Sequence, residues 1–555
     1  MSRDPRGPAG QRQASRSRVA RSAPRRGRVR DVLGVAGLLL VLGTTSALVA
    51  GAIVNGTEQP PLPVAAASHS PSPSAGPPSP TPSASSSPGS PAVPAGEVVW
   101  VPVVSFWSAA SAITEEALTT ALKGDSATYG TVLVPATDRA AIAAALEVEI
   151  GASVQDGTPE AIRAAVKNGA TLGIMRAADV TPAVRALGIG RRQLFGVNRV
   201  TTLAEWPLRG TVPDPSPWDQ GRTWTLVAGG DILLDRGVAF QVTQNHKGVD
   251  FPFDGGTAEI VKEVCCSQFH QKTPVTRRTG REGAVRTVLT KADLVLANLE
   301  SPVDDQWRFH EHGTVFSGDP RLLAGLDNAG LDFVSLANNH IRDAGTDGIM
   351  ETIAALDALG IAHSGAGKGF AQARRPAVFD THGVSVAIFG CDAIASAYWT
   401  TGSAVGSRRC DAKTLVADIK AARTTSDVVV VYPHWGTEYR ATPSSAQRKL
   451  AAAWARAGAD LVIGNHAHWA AGMEAIGDTL VWYALGNFVF DQTWSTRTME
   501  GLLLELTYEG ETLRQVRLRP HLILDKAQPN FMDVAGDGAA VLKQVRDASK
   551  GRLPF

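Results

Sequence analysis

The sequence predicts an α/β fold for the larger part of this 555-residue chain. Short apolar runs alternate with helix-like segments from about residue 97 onward, which is typical of α/β architectures. Several runs, such as TWTLVAGG and DVVVVYPH, are nearly continuous, as in parallel strands buried on both faces. The later runs end in Asp, Asn, Glu or His, and α/β sheets present their chemistry at the carboxyl ends of their strands.

The first segment, residues 1–31, contains ten arginines and two aspartates and is predicted to be a disordered cytoplasmic tail. It is followed by residues 32–54, which carry no charge and are long enough to cross the ~30 Å bilayer core as a transmembrane helix. The preceding arginines predict that this end is cytoplasmic and that the remainder of the chain is extracellular. A long cleaved signal peptide is the alternative, which the small residues of 47–52 favour.

Composition divides the rest of the chain into four parts. They are a Pro/Ser-rich linker at 55–96, a small α/β domain at 97–206, a main α/β domain at 221–525 and a C-terminal extension at 526–555. Twelve prolines lie between Thr57 and Gly96, and such a segment cannot bury enough apolar surface to fold. A second Pro-rich joint, ending near Trp218, separates the two α/β domains.

The small domain has two predicted helix starts, at Thr158-Pro159 and at Thr181-Pro182, where a capping residue precedes proline. It weakly resembles one lobe of an extracellular solute-binding protein. Because it carries no catalytic constellation, we expect it to pack against the main domain or to bind a ligand.

Charge and cysteines limit the partners and the compartment. With 54 basic and 53 acidic residues, the chain lacks the electrostatic footprint of a nucleic-acid-binding protein. The four cysteines lie in the predicted extracellular part, where disulfides persist. Adjacent Cys265 and Cys266 pair with each other only with strain, so cross-pairing with Cys391 and Cys410 is reasonable, and three connectivities stay open.

The strand ends supply residue types that bind metals or transfer protons. They are Asp231, Asn298, Glu300, Asn339, His340, His434, Glu438, His466, His468 and Asn487. Carboxylate and amide oxygens combined with imidazole suit Mn, Fe, Co or Zn better than Ca. His466 and His468 are alternate residues, so an extended segment points both imidazoles the same way. One or two divalent ions could activate water and stabilise a displacement, and a lone imidazole nearby could protonate the leaving group.

These motifs are similar, in order and spacing, to those of one family. The segments are GDILLDR, NLESPV, ANNHIRDAGTDGIMETIAALDALGI, GAGKGFAQARRPAVF, HWGTEY, GNHAHWAAGME and YALGNFVFD. They resemble the CapA family of capsule-biosynthesis proteins, named for poly-γ-glutamate synthesis, over roughly residues 225–524. The resemblance implies a branch of the calcineurin-like metallophosphoesterases, with a four-layer αββα sandwich and metals at the sheet edge.

The same resemblance implies a role for each matching residue. Asp231 and His468 would bind a first metal, Glu300 would bridge two metals, Asn339, His434 and His466 would bind the second, and His340 would donate a proton. Two departures from the usual phosphoesterase pattern weaken the first site: Leu233 replaces the histidine of an Asp-x-His motif, and Asn298-Leu299-Glu300 replaces a Gly-Asp motif. The domain could then hold one tight metal, or use Glu438 or Asn298 as a replacement ligand.

We therefore expect a membrane-anchored, extracellular CapA-type protein of capsule or poly-γ-glutamate-like polymer biosynthesis. Its predicted activity is that of a metal-dependent hydrolase or transferase acting on an anionic envelope polymer or a phosphorylated precursor. Arg236 could receive a carboxylate or phosphate, although a surface ion pair explains it equally well. Two alternatives stay open: a non-catalytic polymer-binding, anchoring or export partner of a membrane synthase, and an extracellular phosphatase or nucleotidase.

Overall fold

The computed structural model describes residues 96–554 of the chain. The predicted cytoplasmic tail, the predicted membrane helix at 32–54 and nearly all of the predicted linker lie outside these residues. Among residues 96–554, no helix combines the length and the apolar character that crossing a membrane requires.

The N-terminal part of the described chain contains eight strands and three helices. The strands are β1 (Gly96–Ser105), β2 (Ala112–Ile113), β3 (Thr131–Pro135), β4 (Gln155–Gly157), β5 (Thr171–Arg176), β6 (Val184–Ala186), β7 (Gly188–Ile189) and β8 (Arg209–Val212). The helices are α1 (Glu115–Lys123), α2 (Arg139–Ala145) and α3 (Pro159–Val166). The main sheet has the order β4-β3-β5-β1-β6, with β8 also paired to β1, and it encloses its own apolar core around Trp100 and Ile162.

One of the two predicted helix starts in this part is confirmed and the other is wrong. The Thr158 hydroxyl accepts a hydrogen bond from the backbone N–H of Ala161, and α3 begins at Pro159. The segment after Thr181-Pro182 instead forms β6, whose Arg185 pairs with Val104 of β1. Pairing along an open sheet edge outweighs a local capping signal that only a short helix could have used.

The remainder of the chain contains eighteen strands and nine helices among the described residues. The strands are β9 (Thr223–Ile232), β10 (Ala258–Val264), β11 (Thr273–Arg278), β12 (Leu294–Leu299), β13 (Phe333–Ser335), β14 (Ala362–Ser364), β15 (Ala366–Lys368), β16 (Ala377–Thr381), β17 (Val384–Asp392), β18 (Val405–Ser407), β19 (Val428–His434), β20 (Leu461–Ile463), β21 (Met473–Ile476), β22 (Thr479–Trp482), β23 (Asn487–Val489), β24 (Glu500–Glu509), β25 (Thr512–Leu524) and β26 (Gln528–Phe531). The helices are α4 (Arg236–Ala239), α5 (Ala284–Thr290), α6 (Ala324–Asn328), α7 (Gly345–Leu359), α8 (Phe370–Ala373), α9 (Thr414–Ala422), α10 (Ser445–Ala457), α11 (Thr496–Met499) and α12 (Gly538–Ala548).

Two sheets dominate this region, so the predicted α/β fold with several sheets is confirmed. The first has the order β14-β13-β12-β9-β24-β25-β26, with β23 also paired to β9, and the second has the order β16-β17-β19-β20-β22-β21. Alternate side chains of each strand enter different cores: in β19, Val430 lies in the core shared by both sheets, whereas Val431 lies in a core with α9 and α10. On the other side, Val295 of β12 packs in a core that includes α5 and α7 residues. Apolar burial on both faces explains the continuous apolar runs of the sequence.

The disulfides follow one of the three connectivities that the sequence left open, and it is not a cross-pairing. Cys391 and Cys410 are joined to each other, and Cys265 is joined to its neighbour Cys266. Cross-pairing is excluded because Cys391 is buried in the core beneath α9, whereas Cys265 lies on an exposed stretch after β10. Tertiary distance therefore decides a pairing that residue spacing left open.

Candidate metal centre

The predicted site residues converge where parallel strands of both sheets end. Strands β9, β12 and β13 run parallel in the first sheet, and β17, β19, β20 and β22 run parallel in the second. Asp231 on β9 is directly opposite Asn298 on β12 and Asn487 on β23. His434 is the last residue of β19, and Glu300 follows β12 directly. The carboxyl ends of both sheets thus supply one buried cluster.

Two of the histidines have unusual backbone conformations. His466 and His468, which follow β20, have φ values of 88° and 55°, a region that residues other than glycine rarely adopt. Gly464, just before them, has no room for a Cβ atom, which would overlap the carbonyl oxygen of Tyr483 and the indole nitrogen of Trp435. Strain of this kind persists where the surrounding structure holds side chains in a functional position.

Two groups of donor atoms share one carboxylate. Glu300, His434 and His466 form one group, and Asp231, Glu300 and His468 form the other; within each group the donor atoms lie within 4.8 Å of one another. Glu300 Oε1 is 3.6 Å from His434 Nε2 and 3.9 Å from His468 Nε2. A carboxylate that belongs to both groups could contact a cation in either one.

Two amides complete the cluster. Asn339 Oδ1 lies 2.6 Å from His434 Nε2, which in turn lies 3.1 Å from His466 Nδ1. Asn487 Oδ1 lies 2.8 Å from His468 Nδ1. When Nδ1 of His468 carries the proton, it donates a hydrogen bond to Asn487 Oδ1. The Nε2 lone pair on the side of Glu300 is then free to bind a cation.

The two buried carboxylates differ in their partners, which tests whether a cation fits: Asp231 accepts hydrogen bonds from Asn298 Nδ2 and the His466 backbone N–H, whereas Glu300 accepts none from any described residue. Both carboxylate oxygens of Glu300 and Oδ1 of Asn298 are buried and have no hydrogen-bond partner among the described residues. Burial raises the pKa of Glu300 well above its usual value and raises that of Asp231 to about 7. A buried charge without a partner is costly, and a divalent cation would supply the missing partner.

The electrostatics of the imidazoles also fit a metal. Burial lowers the pKa of His466 to about 3 and that of His468 to about 4, and it lowers the pKa of His434 strongly as well. At neutral pH these rings are therefore uncharged, which is the state that binds metal ions. The mixed set of carboxylate, amide and imidazole donors suits Mn, Fe, Co or Zn.

His340 stands apart from these donors, at the border of the cluster. Its Nε2 is 4.0 Å from Glu300 Oε1, and its Nδ1 is 2.7 Å from Asp343 Oδ2. The imidazole stacks on the Phe316 ring with 4.0 Å between centroids, and the Arg236 guanidinium lies 4.5 Å from the same ring on the border of the site. His340 is thus held by a carboxylate on one side and is open to the site on the other.

Sequence comparison identifies the family. The family model described as Bacterial capsule synthesis protein PGA_cap matches residues 225–492. The Capsule biosynthesis protein CapA of Bacillus anthracis is 31% identical over 360 residues, covering 63% of this chain and 80% of that protein. The chain belongs to the CapA family. The PGA biosynthesis protein CapA of Bacillus subtilis (strain 168) is 29% identical over 256 residues, covering 45% of this chain and 67% of that protein.

Similarity to solved structures is much weaker. The 5'-nucleotidase precursor from Thermus thermophilus is 16% identical, covers 59% of this chain and 58% of that chain, and has a TM-score of 0.32. A TM-score this low supports no inference about the CapA-family chain.

The remaining predicted residues of this CapA-family chain have distinct places. Asn298 donates through Nδ2 to Asp231 Oδ1 at 2.7 Å, so only its Oδ1 is left for a cation. Glu438 is exposed and lies outside both donor groups, although its charge adds to the effect of burial in raising the pKa of Glu300. Arg236 forms an ion pair with Asp491. Leu233, at the position of the missing histidine, is buried against Phe316 and Phe490.

Two residues that position the site were not predicted from sequence. Asn338 donates through Nδ2 to the Leu299 carbonyl and accepts from the His340 backbone N–H, so it ties the His340 loop to β12. Asp343 holds His340 from three residues further along the chain. The spacing His340-x-x-Asp343 was visible in the CapA-family motif and could have indicated this pair, because residues three apart share one side of a helical turn.

Proposed function

We propose that this chain takes part in the biosynthesis of a poly-glutamate-like envelope polymer and that, at a divalent metal centre, it hydrolyses bonds of that polymer or transfers segments of it to another acceptor. The observation that carries the proposal is Glu300, whose two buried oxygens lack any hydrogen-bond partner among residues 96–554 and lie between two imidazole-containing donor groups. The names of the Bacillus relatives, which refer to capsule and PGA biosynthesis, support the polymer as substrate.

A pocket lined by Arg236, whose guanidinium lies over the same Phe316 ring as His340, supports a chain-like substrate. It has a volume of about 890 Å³ and is bordered by Arg236, Lys526 and the aromatic side chains of Phe240, Phe269 and Trp494. This volume lies at the upper end of the range for ligand sites, which favours several polymer units over a single small group. Arg236 is paired with Asp491, which also lines the pocket, so Lys526 is the side chain that can meet a carboxylate of the polymer.

The side chains divide the chemistry between them. Asp231, Glu300, Asn339, His434, His466 and His468 would hold one or two ions, which would supply Lewis-acid stabilisation of the charge that develops on the substrate. His340 would hold a proton at Nε2 and give it to the leaving nitrogen or oxygen, while Asp343 orients the ring through Nδ1. We further propose that residues 32–54 anchor the protein and place this centre outside the cell.

The first experiment tests the metal and the reaction together. Full-length protein, purified in detergent with Mn²⁺ or Zn²⁺, should retain one or two equivalents of metal in elemental analysis. It should also release free amines from poly-γ-glutamate. His466→Ala should lose both, whereas His363→Ala, a histidine that pairs with Asp357 outside the site, should retain both. Wild-type protein that folds but keeps no metal would refute the proposal.

A non-catalytic role is the second candidate, and Leu233 favours it. Because a buried leucine occupies the position of an expected histidine, the first donor group has a single imidazole, that of His468. In this case metal-loaded protein binds poly-γ-glutamate without releasing amines, and Asp231→Ala still restores polymer production in a deletion strain. Release of phosphate from a panel of phosphoesters, without amine release, would instead indicate a phosphatase or nucleotidase.

A further inference from the structure

A charged arginine side chain, Arg185, is buried where the N-terminal sheet meets β25. It is far in sequence from the metal-binding residues. Arg185 of β6 is only 5% exposed, yet its Nε has no hydrogen-bond partner and the side chain forms no ion pair among residues 96–554. Its backbone neighbour Ala186 is fixed in place, because the Ala186 N–H donates to Gln515 Oε1 of β25 at 2.8 Å. A buried Nε–H of a charged side chain without a partner is costly, and an anion bound there would supply one.

Strand β25 presents more cations to the same place. Gln515, Arg517 and Arg519 are alternate residues and therefore lie on one face of the strand, opposite Val516 and Leu518, which enter the core between the two large sheets. Arg519 is neutralised by an ion pair with Glu505. Arg517 has a 3.4 Å contact with Gln193, and no carboxylate among the described residues lies within ion-pair distance of it.

These cations line a cavity that is open to solvent. Arg185, Arg517 and Arg519 line an open pocket of about 210 Å³ together with Ser111 and Asp533. Asp533 is exposed, accepts a hydrogen bond from the Ala535 backbone N–H and forms no ion pair with Arg185. Burial, together with the charges of Arg517 and Arg519, lowers the pKa of Arg185 to about 10 although the charge of Glu505 opposes this shift, and the side chain stays charged at neutral pH.

We propose that this pocket, between β6 and β25, is a binding site for an oxyanionic group, a carboxylate or a phosphate, which Arg185 and Arg517 hold with their guanidinium groups. Planar guanidinium forks bind both groups through paired hydrogen bonds, and the geometry is the same for either source. The site is separate from the metal centre and explains why an arginine is buried at the junction of the two parts of the chain.

A carboxylate of the polymer is one source of this group. Arg517 precedes His521 by four residues on β25, a distance of ~14 Å along the strand, and His521 Nε2 is 2.8 Å from the carbonyl oxygen of Asn487, the residue that orients His468. This version rests on the proposed function, whereas binding of inorganic phosphate does not.

The test uses full-length protein in two titrations, one with sodium phosphate and one with a short poly-γ-glutamate, each against sodium chloride of equal ionic strength. Calorimetry and thermal unfolding should both show binding, and the tighter ligand identifies the source. Arg185→Met and Arg517→Gln should weaken binding at least tenfold. In buffer without phosphate or poly-γ-glutamate, Arg185→Met should unfold at the same temperature as wild type or higher, because an uncompensated charge has been removed.

Arg514→Met is the matched control. Arg514 lies on the same strand but already pairs with Glu509 and donates to the carbonyl oxygen of Ala178. This variant should be less stable than wild type and should keep the full anion response. The proposal is overturned if neither phosphate nor poly-γ-glutamate shifts the unfolding of wild type beyond chloride, or if both pocket variants bind as wild type does. Because every arm is read without metal or turnover, failure here leaves the metal proposal untouched.

Discussion

Substitution of Glu300 by glutamine separates a metal ligand from an ordinary buried acid. Glutamine keeps the volume of the side chain and removes its charge. In metal-free protein, burial raises the pKa of Glu300 well above its usual value, so the wild-type side chain is already biased toward its uncharged form. The amide therefore resembles the wild-type acid when no metal is present, and Glu300→Gln should change the free energy of unfolding by less than ~1 kcal/mol in chelator.

Wild type and Glu300→Gln should differ in stability only when metal is present. At a free ion concentration 100 times the dissociation constant, binding stabilises wild type by about 2.7 kcal/mol. With an unfolding entropy of ~1 kcal/mol/K for a unit of this size, the gain in Tm is about 3 °C. Glu300 belongs to both donor groups, so the variant should lose nearly all of this gain.

The assay is thermal unfolding of wild type and variant, with EDTA and with Mn²⁺ or Zn²⁺. Glu505→Gln is the matched control, because Glu505 is equally buried but pairs with Arg519. The control should lose stability in both buffers and keep the metal response. An equal loss for Glu300→Gln in both buffers would show that Glu300 is a structural acid and would refute the reasoning.

Three further predictions follow from single contacts. His340→Gln should keep its metal content but reduce amine release ~10²–10⁴-fold, in initial-rate assays; an unchanged rate would remove His340 from the chemistry. Burial lowers the pKa of His521 to about 4. The imidazole titrates near ~6.5 in the unfolded chain. The stability that wild type owes to an uncharged His521 is therefore fully present above that pH and falls by ~3 kcal/mol as the pH approaches 4. In denaturant unfolding, the midpoint of His521→Gln should fall less steeply with acid than that of wild type. Cys391→Ser, which opens the link to Cys410 across a sequence separation of 19, should cost ~3 kcal/mol in urea unfolding, whereas an equal midpoint would show that the bond contributes little.

Local sequence patterns predicted a good part of the fold. The continuous apolar runs around Leu226, Val295 and Val430 form strands buried on both faces, as expected. The cap at Thr158 begins α3 as predicted. Where a strand edge competed with a local signal, as after Thr181, the prediction was wrong, because hydrogen bonding to β1 depends on a partner strand far away in the chain.

The candidate site, like the fold, was predicted only in part from the sequence. The residue types and their order at strand ends were visible in the sequence, and the structure brings Asp231, Glu300, Asn339, His434, His466 and His468 together; their roles as ligands stay predictions. Leu233 illustrates the limit of the pattern, since the sequence showed that a histidine was missing but not what its replacement contacts.

By itself, the sequence determined the α/β class, the family and the positions in the chain where metal-binding residue types occur. These properties depend on local patterning and on motif order, which a linear chain displays directly. Only the tertiary structure decided that Glu300 lacks a hydrogen-bond partner among the described residues, that Cys391 joins Cys410, and that Arg185 meets Arg517 in a common pocket. Each of these depends on which distant groups share a buried space, where burial determines both the cost of a charge and the partner it requires.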